Sequence, residues 1–161
     1  VELVVNLGAL LADVPHPRPV PLTGFASAPE LIADLGLEES GYEGPTGIVG
    51  VLQHTCDMSG MPSVSLWAAV PHYVSQSPCP KAALALLNRL EDITATTITT
   101  SELADEAAAW QRGVEEMAEE DEEVREYVER LERARDSEDL TATSGDAIAA
   151  EFERYLRRRN P

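Results

Sequence analysis

Four side chains able to do chemistry stand close together in the stretch "PHYVSQSPCPK", Pro71 to Lys81: His72, Tyr73, Cys79 and Lys81. Cys79 falls just before an expected helix N-terminus, a position that favours a thiolate nucleophile. His72 lies upstream in the same loop, where an imidazole could serve as its base. Lys81, at the start of the helix, could meet a phosphate beside free backbone N–H groups. Tyr73 suits a pocket wall or a subunit contact. Yet a thiol enzyme needs an oxyanion-stabilising turn and a third member to orient the base, and neither is visible in the sequence. A cysteine between prolines reads as a small loop residue, and the lysine as a surface charge. The expectation is that Cys79 and His72 are structural, on a rigid shelf made by Pro71, Pro78 and Pro80.

A second candidate is "GYEGPTGIVG", with Gly44, Thr46, Gly47 and Gly50. Glycine lets a backbone approach something closely, either a ligand or another element. No Gly-Lys-Ser/Thr follows, so this is not a phosphate-binding loop of the Walker type. The spacing and the preceding element do not fit a dinucleotide fingerprint. Tight helix–sheet packing is the expected reason for the glycines. The chain has three histidines, His16, His54 and His72, and two cysteines, Cys56 and Cys79. His54 and Cys56, two apart, point away from each other on a helix, and no Cys-x-x-Cys or His-x-x-x-His occurs. Neither a metal nor a cofactor is expected.

Positioning these residues falls to elements that the pattern makes legible. "VELVVNL" reads as a buried strand ending at Gly8. Such a strand needs neighbours on both sides, and with no initial Met the chain is expected to be the later part of a longer protein. Alternate prolines at 15, 17, 19 and 21 exclude a central strand there and leave an edge strand at Val20–Gly24. Ala28-Pro29-Glu30 after Ser27 starts a short helix over 29–35. An apolar helix spans about 48–58. "SVSLWAAV", 63–70, is a buried strand with Leu66 and Trp67 in the core and His72 and Tyr73 at its carboxyl edge. Helix 81–92 follows, with Leu84, Leu87, Leu90 and Ile93 as its apolar stripe.

From Thr99 the pattern becomes helical throughout. Thr99-x-x-Glu102 has the spacing of a capping box. Trp110, Val114, Met117, Val124, Val128 and Leu131 form a heptad-like seam, with Asp121 as N-cap of a second helix. That stripe needs cover, and self-association is expected to supply it. "DSEDLTATSGD", 136–146, reads as a polar linker. A last helix begins at Thr143-x-x-Asp146, with Ile148, Phe152, Tyr155 and Leu156 on one face. Two regions are expected: 1–95, the later part of an α/β core, and 96–161, α-helical.

The chain has 161 residues and a net charge of −17. Residues 101–140 hold 16 Asp/Glu against 5 Arg, so most of the excess sits on the helical region as a solvated face. Nucleic acid needs cationic side chains to displace its counterions, and an anionic membrane surface needs the same, so neither is an expected partner. No apolar run is long enough to span a bilayer, no leader peptide is visible, and two cysteines make no disulfide framework. A reduced, cytoplasmic protein is expected.

The phrases "GPTGIVGVL", "GMPSVSLWAAVPHYV", "PKAALALLNRLED" and "SGDAIAAEFERYLRRR", taken in order, resemble the proteasome assembly chaperone two family in its uncharacterised bacterial branch. The resemblance runs over nearly the whole chain, including its C-terminal part, and aligns it with the later half or more of such proteins. It implies a three-layer α/β/α core similar to purine nucleoside phosphorylase, with an α-helical appendage. It further implies a non-catalytic interaction or assembly protein, homo-oligomeric, with a proteasome-related partner. The "RRRNP" ending departs from the hydrophobic-Tyr tail of some archaeal relatives. The alternative is an enzyme or small-ligand binder, for nucleotide or phosphate, using the Pro71–Lys81 loop and the Gly44–Gly50 turn.

Overall fold

Strand β4 (Ser63–Pro71) is the axis of the fold. A computed structural model describes residues 1–26, 32, 35, 38–39, 47–74 and 78–142, with side chains in the last helix described to Ser137. The other strands are β1 (Val4–Ala12), β2 (Leu22–Ala26) and β3 (Glu38–Glu39). The helices are α1 (Ile48–Met58), α2 (Pro80–Thr94), α3 (Ser101–Glu120) and α4 (Glu122–Ala142). The sheet runs β1-β4-β2-β3 and is mixed: β1 is parallel to β4, β2 antiparallel to β4, and β3 parallel to β2.

The alternation of β4 explains what covers it. Val64, Leu66, Ala68 and Val70 share one face and pack with Ala82 and Leu86 of α2 as the buried core. Val64 and Leu66 are wholly inaccessible, and burying a side chain of that size contributes about 1.5–3 kcal/mol. On the opposite face Ser65 Oγ donates to Gln53 Oε1 at 2.7 Å, while Gln53 Nε2 donates to the Ser63 carbonyl at 3.3 Å. Helix α1 therefore meets β4 through a buried amide, and α2 meets it through apolar contact. This is the mixed α/β fold that the sequence pattern implies.

Several boundaries differ from expectation. β1 does not stop at Gly8 but runs on to Ala12. In the parallel register Gly8 faces Trp67, and a Cβ at Gly8 would lie 2.7 Å from Trp67 Cε3 and Cζ3. Glycine is there to let the indole lie over the strand. Trp67 is accordingly half-buried on β1, not sunk among helices like its neighbour Leu66. β2 begins just after the last of the alternate prolines and pairs on both sides, so it is not an edge. Gly47 is the N-cap of α1 with nothing within 4 Å of where its Cβ would be, so tight packing does not account for it. In α2 the face on the sheet is Ala82–Leu86 with Ile93 behind it, while Leu84, Leu87 and Leu90 are half-buried; the helix lies between β4 and α3 and needs two apolar faces.

The capping box at Thr99 does not form, since α3 takes Thr100 as its N-cap with no side-chain cap bond. Asp121 does cap α4: its Oδ1 accepts the backbone N–H groups of Glu123 at 3.0 Å and Val124 at 3.3 Å. The seam is covered in part within one chain. Val114 and Val128 are 5% and 6% exposed, with Ala107 and Ala118 beside them, while Met117 faces out. The expected linker over 136–146 is helical as far as Ala142. Of the helix expected over 29–35 only Ile32, which is helical, and Leu35 are described; its start at Ser27 and the last helix from Thr143 lie outside the described residues.

Two substitutions test these points. Gly8→Ala forces its methyl into the Trp67 ring and should lower stability by about 1–3 kcal/mol, read by urea unfolding, with partial recovery in the Gly8→Ala, Trp67→Leu double variant. Ala95 closes α2 at φ 50°, where a Cβ is strained. Ala95→Gly should raise the unfolding free energy by about 0.5–1 kcal/mol, the strain relieved exceeding the entropy that glycine adds to the unfolded chain.

Candidate functional site

Because β1 and β4 are parallel and end together at Ala12 and Pro71, the loops that leave them share one edge. In open α/β sheets that carboxyl edge is where ligands bind. From β1 come Asp13, His16 and Arg18; from β4 come His72 and Tyr73; Cys79 and Lys81 begin α2. His16 is the centre of the group. It is 2% exposed, and all its polar atoms at this edge are engaged. Its Nε2 lies 2.9 Å from Glu115 Oε2 on α3, its Nδ1 lies 3.0 Å from the Tyr73 hydroxyl, and its backbone N–H donates to that same hydroxyl at 2.8 Å. One assignment satisfies every group: Nε2–H donates to the carboxylate, and the Tyr73 O–H donates to Nδ1 while accepting the His16 N–H.

Lys81 locks the same loop from the other side. Its Nζ donates to the carbonyls of His16 at 2.5 Å and Arg18 at 2.9 Å. Burial lowers its pKa below the ordinary lysine value, with the nearby Cys79 acting the other way. The ammonium thus serves as a backbone clamp. His72 is nearly half exposed and pairs through Nδ1 with Asp13 Oδ1 at 3.1 Å. Asp13 also accepts from the Tyr127 hydroxyl of α4 at 3.0 Å. The rings of His16, Tyr73, His72 and Tyr127 meet edge to face, with centroids 5.4–6.0 Å apart, a favourable geometry for aromatic groups.

Glu115–His16–Tyr73 has the outline of a carboxylate–histidine–hydroxyl relay, but its chemistry points inward. Burial pushes the Tyr73 phenol up to about 12, away from a nucleophile or base near neutrality. The adjoining cavity, bordered by Val14, His16, Cys79, Lys81 and Trp110, has a volume of about 10 Å³. That is the space of one water molecule at most. Half-buried Cys79 lines it.

Of the residues singled out in the sequence, the fold brings His72, Tyr73, Cys79 and Lys81 to one edge. Gly47 and Gly50 belong to the start of α1, and the partners of His72, Tyr73 and Lys81 outside their own stretch are in the 13–18 loop and α4 instead. Gly44 and Thr46 lie outside the described residues. Glu115, Asp13, Arg18 and Tyr127 carry no motif. His16 had one signal, an imidazole among alternate prolines, in a loop too stiff to place it at random. Among the described residues no group of three or more His, Cys, Asp or Glu is arranged to hold a metal ion.

The PAC2 family model matches residues 1–118. The match falls on the N-terminal part of this chain and not on its C-terminal part, so "SGDAIAAEFERYLRRR" lies beyond it. Among solved structures, a PAC2 family protein from Streptomyces avermitilis is 62% identical, with TM-score 0.72, covering 80% of this chain and 54% of its own. A proteasome-assembly chaperone homologue from Mycobacterium tuberculosis is 51% identical, with TM-score 0.70, covering 79% and 54%. A protein of unknown function from the same organism is 29% identical, with TM-score 0.77, covering 97% and 50%. The chain spans about half the length of these structures. No curated protein matches it.

The phenol of Tyr73 supplies a pH test. Its pKa is raised on folding, so its contribution is fully present below about 10, the unfolded value, and is lost as pH rises towards about 12. Ultraviolet titration should show one tyrosine ionising only as the protein unfolds in alkali. Tyr73→Phe strands both the His16 N–H and Nδ1 and should cost about 1–3 kcal/mol at neutral pH, with the alkaline loss of stability correspondingly reduced.

Proposed function

Because the chain belongs to the PAC2 family, we propose that it is part of a non-catalytic assembly factor with a proteasome-related partner. The observation that carries this reading is the closed network around His16. The groups at the ligand-binding edge of the sheet are bonded to one another, around a space that fits one water. The similarity to a proteasome-assembly chaperone homologue supports the choice of partner. The finer reading is a three-layer core akin to purine nucleoside phosphorylase, formed in part by residues 1–95, with 96–161 as an α-helical region. The protein is homo-oligomeric and cytoplasmic on this reading. Among the described residues no helix is long and apolar enough to cross a membrane. Partner contact is assigned to exposed His72 and to the Gly44–Gly50 turn.

Reconstitution tests the proposal. Proteasome α-subunits mixed with the full-length protein should form a stoichiometric complex and assemble into rings faster than alone, followed by native electrophoresis and sedimentation velocity. In the same preparation Cys79 should react with iodoacetamide no faster than a half-buried structural thiol. Unchanged ring assembly, combined with rapid Cys79 labelling that His72→Ala abolishes, would overturn the proposal in favour of an enzyme. Retention of a nucleotide or phosphate at Lys81 would favour a ligand-binding protein.

A further inference from the structure

Helix α4 is attached differently from the helices before it. α2 is fixed by apolar packing on β4, and α3 buries Ala107, Val114 and Ala118. Among the described side chains of α4 only Val128 is buried. Charged and polar ties from it run to the loop after β1. The Arg18 guanidinium reaches Glu132 at 3.2 Å and Asp136 at 2.8 Å, one helical turn apart, and Tyr127 donates to Asp13. Arg18 Nε is shut off from solvent, yet its approach to Glu132 lacks hydrogen-bond alignment, so the grip is incompletely satisfied. Glu132 and Asp136 are 30% and 50% exposed, which leaves the pairs open to screening by salt. Beneath Tyr127 lie the rings of His72 and Tyr73, at the carboxyl edge of the parallel strands.

We infer that α4 is a lid over that edge, latched by Arg18, which opens as a unit while the sheet and α2 stay folded. Opening removes Tyr127 from His72 and Tyr73 and frees the outer rim of the site, leaving the His16–Glu115 bond on α3 in place. The inference rests on this geometry alone and stands whether or not the protein assembles proteasomes.

Amide hydrogen exchange of the whole protein, read by mass spectrometry, tests it. Arg18→Gln should speed exchange over residues 122–137 by about three- to tenfold, the loss expected for one or two partly exposed ion pairs, with 64–70 and 82–90 unchanged. Raising NaCl from about 0.05 to 0.5 M, which shortens the screening length severalfold, should do the same to the wild type and add little to Arg18→Gln. Asp136→Asn, at the exposed end of the latch, should reproduce part of the effect and lose it in the Arg18→Gln background; it serves alone if Arg18→Gln does not fold. Equal protection of 122–137 in wild type and variant would overturn the latch. Exchange of 122–137 in step with β4 would overturn the lid.

Discussion

A strand that must be covered on both faces governs this fold. β4 offers apolar side chains to one side and serines to the other, and the two demands are met by different means. The apolar face takes an amphipathic helix, α2, while the serine face takes Gln53 of α1, whose amide satisfies groups that would be costly to bury alone. With both faces filled, β4 can grow only sideways. There β1 accepts the Trp67 ring because Gly8 has no side chain to oppose it. The common end of β1 and β4, and hence the meeting of Asp13 with His72, follows from that register.

The loop from β1 to β2 turns this shared edge into a closed polar structure. Its prolines cannot supply N–H donors, and its carbonyls and side chains find partners elsewhere in the chain. Lys81 takes two carbonyls, Tyr73 and Glu115 take His16, and Glu132 and Asp136 take Arg18. Residues distant in sequence are joined through one short loop. A low local dielectric strengthens such a network when every member is satisfied, and His16 meets that condition. Arg18, at the rim, does not, and this contrast separates a fixed centre from a releasable border.

The two ends of the network also differ in what they could do for a partner. The His16 centre is buried and spent on holding α3 to the sheet. His72 and Asp13, at the rim, are exposed and stand next to Tyr127 of α4.

Much of the framework is legible in the residues taken alone. The run Ser63–Val70 between two prolines is a strand in the structure, Pro80 opens a helix as expected, and Asp121 caps one. Each depends on local chemistry: alternation, a fixed proline φ, an acid before free N–H groups. The candidate residues Cys79, His72 and Lys81 were equally visible, but their roles were not. Whether a lysine at a helix start meets a phosphate or two backbone carbonyls depends on a loop sixty-odd residues earlier in the chain. Gly8 looked like a strand end because a glycine in a strand and a glycine after one are the same letter; only the Trp67 ring above it distinguishes them. The seam on α3 and α4 likewise announced that it must be buried, without naming what buries it. Sequence by itself determined the central strand, the helix that Pro80 opens and the cap at Asp121, because those follow from neighbours along the chain. Tertiary structure alone decided that His16, Tyr73 and Glu115 share a set of hydrogen bonds, because that depends on which strands lie parallel and where they end.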